Sequence, residues 1–252
     1  MPITHSLPAL ATLAVLVLPG GARAAEADLT AASPSPVEGE SGAINGLYPL
    51  WEQTALLHRK GAFQIGYNHA QVGLGRIQIG TEPILDLHGA ANLQAKVSLW
   101  QGDRLKVALV LGGYRLPTAA ESRTVGNLYP TGFSNYAPVW LVPICLAKSV
   151  RLHERLALHW ASTLLLSTSS APEHRYVAGG QTLLFDLAAT PQWHARLHAG
   201  AEGWPVQTVA HAGLSFGYVG RYVYASLGAG RRFPLDGEPA NQVLLDGGLL
   251  FP

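Results

Sequence analysis

Histidine is the one catalytic residue type in obvious excess in this chain, with 10 in 252 residues. The spacing that most suggests a shared task is His194-x-x-x-His198, which on a helix would present two imidazoles to one metal ion. On a strand, where each residue rises about 3.3 Å, the two rings stand roughly 13 Å apart and cannot share an ion. Serine hydrolysis on a strand needs nucleophile and base on one face, and side chains of period two give that to a His-x-Ser pair. The chain contains no His-x-Ser, and His159-Trp160-Ala161-Ser162 has the wrong parity. Among the strand serines Ser98, Ser162, Ser215 and Ser226, only a cross-strand partner such as His159 or His211 remains. Glu173-His174 is a thin match to the acidic and histidine clusters of proteases. Gly73-x-Gly75 lacks the strand-to-helix context of a phosphate loop and reads as a turn. Cys145 is the sole cysteine, so no disulfide and no cysteine-based metal site can form within the chain. These residues predict neither a catalytic site nor a bound metal or cofactor.

The elements that carry these side chains follow from a pattern of alternation. Leu93, Ala95, Val97 and Leu99 alternate with Asn92, Gln94, Lys96 and Ser98, which gives a strand one oily face and one polar face. From Arg155 to Leu166 the oily set is Leu156, Leu158, Trp160, Leu164 and Leu166, against Arg155, His159 and Thr163. From Trp193 to Ala201 it is Trp193, Ala195, Leu197 and Ala199, against His194, Arg196 and His198. The strands read as Thr54–His58, Ala62–Gln71, Arg76–Thr81, Ala91–Trp100, Arg104–Arg115, Ala137–Lys148, Arg155–Leu166, Gly180–Ala188, Trp193–Ala201, Thr208–Tyr218, Arg221–Gly230 and Gln242–Phe251. That is about twelve, or ten if the first hairpin stands apart from the wall.

Tight links at Gln101-Gly102-Asp103, Ala189 to Gln192 and Val219-Gly220 alternate with long ones at Leu116 to Tyr136, Ser167 to Gly179 and Arg231 to Asn241. Short turns at one end and long loops at the other are what a membrane β-barrel requires. Aromatics at Tyr67, Trp100, Tyr114, Tyr136, Tyr218 and Tyr222 fall near strand ends, where interfacial girdles sit. A soluble β-sandwich would produce the same alternation with its oily face turned inward, so the pattern alone leaves that alternative open.

Composition narrows the setting. Charged residues make up 13% of the chain against a usual quarter. Residues 1–24 read as a signal peptide, with an apolar stretch from Ala9 to Leu18 and an Ala22-Arg23-Ala24 cleavage site. Residues 25–45, rich in Ser, Pro and Glu, read as a disordered periplasmic leader, and residues 46–252 as the barrel. The net charge of +1 makes a nucleic-acid partner unexpected, since phosphate binding relies on a basic patch.

Lys60-Gly61-Ala62-Phe63-Gln64-Ile65-Gly66 and Gly73-Leu74-Gly75-Arg76-Ile77-Gln78-Ile79-Gly80-Thr81 resemble the opening strands of bacterial outer-membrane β-barrel proteins of the porin or transporter-like kind. The resemblance covers about the first third of the folded part. It implies an all-β, transmembrane antiparallel barrel in the outer membrane of a Gram-negative bacterium, with membrane lipid and the barrel-assembly machinery as partners. The residues expected to line the lumen are Gln94, Lys96, Lys106, His159, Asp186, His194, Arg196, His198 and Asp246, together with Gln64 and Gln78. A lining of mixed sign suits passive passage of small solutes without strong ion selectivity. The alternatives are a non-conducting structural or loop-binding barrel and, behind it, an outer-membrane hydrolase.

Overall fold

The computed structural model describes residues 54–87, 90–116, 139–170, 175–203, 208–235 and 238–251. The expected signal peptide and leader, Tyr136 and Glu173-His174 all lie outside them. The described chain is all-β: β1 (Phe63–Gly66), β2 (Ala70–Gly73), β3 (Ile77–Thr81), β4 (Ala91–Gln101), β5 (Leu105–Leu116), β6 (Val139–His153), β7 (Leu156–Ser169), β8 (Tyr176–Ala188), β9 (Trp193–Gly203), β10 (Thr208–Val219), β11 (Val223–Pro234) and β12 (Ala240–Phe251). One helical turn, α1 (Pro83–Leu87), lies between β3 and β4. Each strand pairs antiparallel with its chain neighbours, and β1 pairs with β12 to close the barrel. The closing ladder runs from Phe63↔Phe251 to Gly66↔Gly248, with the two phenylalanine rings stacked at 5.9 Å.

The strand count agrees with the sequence reading, but its members differ. Thr54–His58 is not a strand, and Ala62–Gln71 is two strands folded at Tyr67–His69. The alternation of Phe63, Ile65 and Tyr67 with Gln64, Gly66 and Asn68 carries into the turn and breaks only at His69, beyond which Ala70 and Val72 hold the opposite parity. Asn68 acts as a turn residue instead: Gly66 N–H donates to the His69 carbonyl at 2.7 Å, and the Asn68 side chain donates to the Leu245 carbonyl at 3.2 Å. Between β2 and β3 the chain turns at Gly75, whose φ of +90° suits glycine. Several strands run past their expected ends, β6 to His153, β7 to Ser169 and β11 to Pro234, which shortens the connections beyond them.

Parity decides what each face does. On β6 and β7 the buried set includes Val139, Leu141, Cys145, Ala147 and Ser149, and His159, Ala161, Thr163 and Leu165; Trp140, Val142, Trp160, Leu164 and Leu166 are exposed. Around the ring the outward positions are large and apolar, while many buried interior positions are polar, among them Gln64, Lys96, Arg196, Glu202 and Asp246. This is the reverse of a soluble sandwich, which would bury its oily face. The interior also holds apolar clusters, a small one of Val219, Tyr224 and Leu250 and two larger ones. One joins Leu85 of α1 to Ala90, Tyr114, Leu116, Val139, Leu141, Leu165 and Ala178; the other seats Ala55 among Ala108, Val110, Cys145, Ala147 and Ala161. Tyr114, expected among the aromatics near strand ends, is thus an interior residue, because β5 runs on to Leu116 and places position 114 on its inward parity.

Candidate functional site

Among the described residues the polar side chains converge in the interior, and its first occupant is the chain itself. Residues 54–58 run inside the wall, and their backbone groups are satisfied by inward side chains instead of a ladder, as buried backbone requires. Ala55 N–H donates to Ser149 Oγ at 2.9 Å, and His58 N–H donates to Gln78 Oε1 at 2.8 Å. Lys96 Nζ donates to the Leu56 carbonyl at 3.2 Å. Three wall strands, β3, β4 and β6, thereby hold one extended segment.

Ser149 and His159 are direct cross-strand partners, and Ser149 Oγ lies 2.8 Å from His159 Nδ1. One strand further round, Asp186 faces Arg196. Its carboxylate lies 2.9 Å from His194 Nδ1 and 3.4 Å from Arg196 Nε. Higher in the barrel, Glu202 is almost fully buried with His211 Nδ1 at 3.4 Å and Arg232 at 3.5 Å. A buried carboxylate is tolerable only with such partners. His198 meets His211 edge to face, ring centroids 5.7 Å apart, while His194 belongs to Asp186. The two histidines of the His-x-x-x-His spacing therefore serve different clusters. No group of three or more metal-ligating side chains occurs among the described residues.

Toward the loop end, Glu82 follows β3 into the interior. Tyr114 donates its hydroxyl to Glu82 Oε1 at 2.6 Å, and Gln94 donates to the same oxygen and to the Tyr114 hydroxyl. Burial pushes the Glu82 carboxyl up to about 8, against the lowering effect of these two hydrogen bonds, so at neutral pH it is mostly uncharged. Burial lowers His69 to about 4, and the nearby His58 adds to the shift. His58 is itself lowered by burial, with a hydrogen bond to Gln64 opposing the effect. The residues in the turn and the inner segment are thus held neutral, as an interior poor in water favours.

Of the expected lining, Gln94 sits with Glu82, Lys96 with the Leu56 carbonyl, and Lys106 opposite Ser149 on β5. His159 sits with Ser149, Asp186 with His194 and Arg196, and His198 with His211. Asp246 accepts a hydrogen bond from Asn68 N–H at 3.3 Å. Sequence reasoning missed Ser149, Glu82, Tyr114, Glu202 and Arg232. Carrying the Cys145, Ala147 parity one step beyond Lys148 would have found Ser149.

Chemically, Ser149 and His159 are a nucleophile and base at hydrogen-bond distance. Ser149 Oγ also accepts the Ala55 N–H, and both side chains are buried, so this arrangement has no room for a substrate. A cavity of about 20 Å³ opens beside Gln71, Gln78, Gln94 and Lys96, enough for one or two water molecules. Compared with known protein families and with curated proteins, the chain matches none.

Proposed function

We propose that this chain is a bacterial outer-membrane β-barrel of the porin or transporter-like kind, closed by its own inner segments and non-conducting as it stands. The observation that carries the membrane reading is the inversion of faces: large apolar side chains outside, polar side chains within. Strands of 11 to 15 residues from β4 to β12 reach or exceed the roughly 9–11 that a tilted membrane strand needs. Exposed Trp100, Trp193 and Tyr222 at the turn end, with Trp140 and Phe233 at the loop end, fit two interfacial girdles. Open β-structure in hydrocarbon would leave backbone groups unsatisfied, and a closed barrel avoids this.

Passive passage of small solutes has less support than a closed barrel. Residues 54–58 cross the interior near the turn end, Leu85 and Glu82 fill it near the loop end, and long polar side chains occupy the wall between them. On this reading the interior polar network fixes the fold and the plug instead of selecting a solute, and no catalytic step is assigned.

The test has two arms. The protein should fractionate with the outer membrane and require detergent for extraction; recovery as a soluble protein would end the membrane reading. In planar bilayers the intact protein should give no steady current, whereas deletion of residues 54–58 should produce one. Steady current from the intact protein would restore the passive channel.

A further inference from the structure

The wall is not of even height. β1, β2 and β3 have 4, 4 and 5 residues, yet they stand between β12 with 12 and β4 with 11. The β1–β12 ladder ends at Gly66↔Gly248, where the chain turns away. Tyr67 N–H still donates to the Gly247 carbonyl at 3.1 Å, and the Asn68 side chain reaches the Leu245 carbonyl. Beyond that point β12 runs on to Ala240 paired with β11, with no other strand beside it among the described residues. On the opposite flank the β3–β4 ladder stops at Gly80↔Gln94, while β4 continues to Ala91. The result is a notch at the loop end. It is four strand spacings wide, roughly 19 Å at about 4.8 Å each.

Side-chain exposure marks the same notch. Val243 on the β12 flank is 79% exposed, against 61% for Leu227, 57% for Phe216 and 54% for Leu197 in fully paired wall. The strip of β12 that borders the notch is apolar at Val243 and Leu245, and becomes polar at Asn241. Arg231, opposite Asn241 on β11, is exposed, and its guanidinium lies 5.7 Å over the Phe233 ring. A cation one strand in from the edge thus stands toward the loop end of an apolar strand edge. On the β4 flank exposed Asp86 is held by Thr81 and Asn92, with Arg115 opposite Ala91 on the strand behind it.

We infer that the β12 flank of this notch seats an anionic membrane amphiphile, its phosphate-bearing headgroup on Arg231 and its hydrocarbon tail along Leu245 and Val243. The headgroup supplies polar partners at the depth where the strand edge has lost its ladder, which hydrocarbon alone cannot do. A lone surface charge attracts an anionic headgroup modestly; the apolar strip beside it seats the tail along an open strand edge, which fully paired wall lacks.

The inference rests on the outer-membrane reading, so the experiment separates the two. The full-length protein is made with p-benzoylphenylalanine at Val243 and placed in nanodiscs of phosphatidylcholine with a minor share of phosphatidylglycerol. After irradiation its intact mass is measured. A phosphatidylglycerol adduct enriched about fivefold over its share is expected, falling to that share in Arg231→Gln. The same probe at Leu183 should give lipid adducts in the bulk ratio. Bulk ratio at Val243, no adduct, a protein dimer through this edge, or a crosslink to the chain's own residues before Thr54 would each overturn the site. Failure to enter nanodiscs, with solubility in plain buffer, would instead overturn the outer-membrane reading.

Discussion

The His211 imidazole lies over Gly200, its cross-strand partner. A Cβ at Gly200 would stand 2.6 Å from the ring and 2.5 Å from the Gln181 carbonyl oxygen. Gly213 does the same for His198, its partner in the same ladder. Glycine on one strand thus makes room for a long side chain on the next, and this is how a barrel of this size holds so many inward polar groups. Gly200→Ala should destabilise the protein by about 1–3 kcal/mol, the usual cost of overpacking. Adding His211→Ala should recover only part of that, because the Gln181 carbonyl still crowds the site. Unfolding by denaturant in detergent measures both, and full recovery would mean that the backbone contact costs nothing.

The Ser149 clamp gives a second prediction. Ser149→Ala leaves the Ala55 N–H and a His159 ring nitrogen short of a buried partner, and should cost about 1–3 kcal/mol. It should also speed proteolysis within residues 54–58. A serine-reactive fluorophosphonate should leave the intact protein unlabelled, since Ser149 Oγ is covered. Stoichiometric labelling of Ser149 that His159→Ala abolishes would make the barrel a hydrolase.

The two faces should respond unequally. Leu197 is exposed, while its neighbour Arg196 is buried beside Asp186. Leu197→Arg should cost about 2–4 kcal/mol if it lies near the membrane midplane. Arg196→Gln should leave membrane insertion intact and lose about 1–3 kcal/mol through the weakened hold on Asp186. Equal losses of insertion would mean the faces are misassigned.

Glu82 and His69 set a pH window for the loop end. Glu82 is raised from 4.5 to about 8, so the stability it contributes is complete below pH 4.5 and is lost as pH rises through about 8. His69 is lowered from 6.5 to about 4, so its contribution is present above pH 6.5 and is lost as pH falls through about 4. Hydrogen exchange in residues 82–87, corrected for the intrinsic rate, should loosen on the alkaline side. Glu82→Gln should abolish that alkaline limb and leave the acid limb in place.

What the sequence made legible was local. Period two runs cleanly through Leu156 to Leu166 and Trp193 to Ala201, so face assignment and strand count could be read from residues a few positions apart. The Tyr67–His69 turn was hidden because Asn68 keeps the parity of a strand. Residues 54–58 looked like a strand because Ala55, Leu56 and Leu57 form a short apolar run, which serves equally for a segment lying inside a wall. Interior pairs such as Ser149 with His159, or Glu82 with Tyr114, depend on register between strands, and a single chain does not write register into its own spacing. Glu82 was hidden further by its place between elements, where a carboxylate ordinarily meets water.

The ring is sealed through one of its shortest ladders. Phe63 and Phe251 meet only when the first strand and the last have both been delivered, and β1 offers just 4 residues to hold them. The largest loop-closure cost in the chain thus falls on one of its least rewarding contacts. We expect assembly to proceed as a growing open sheet from β4 to β12, with Phe63↔Phe251 closing late as a latch. Lengthening that latch would tighten the finished barrel, and weakening it would leave a sheet with two free edges.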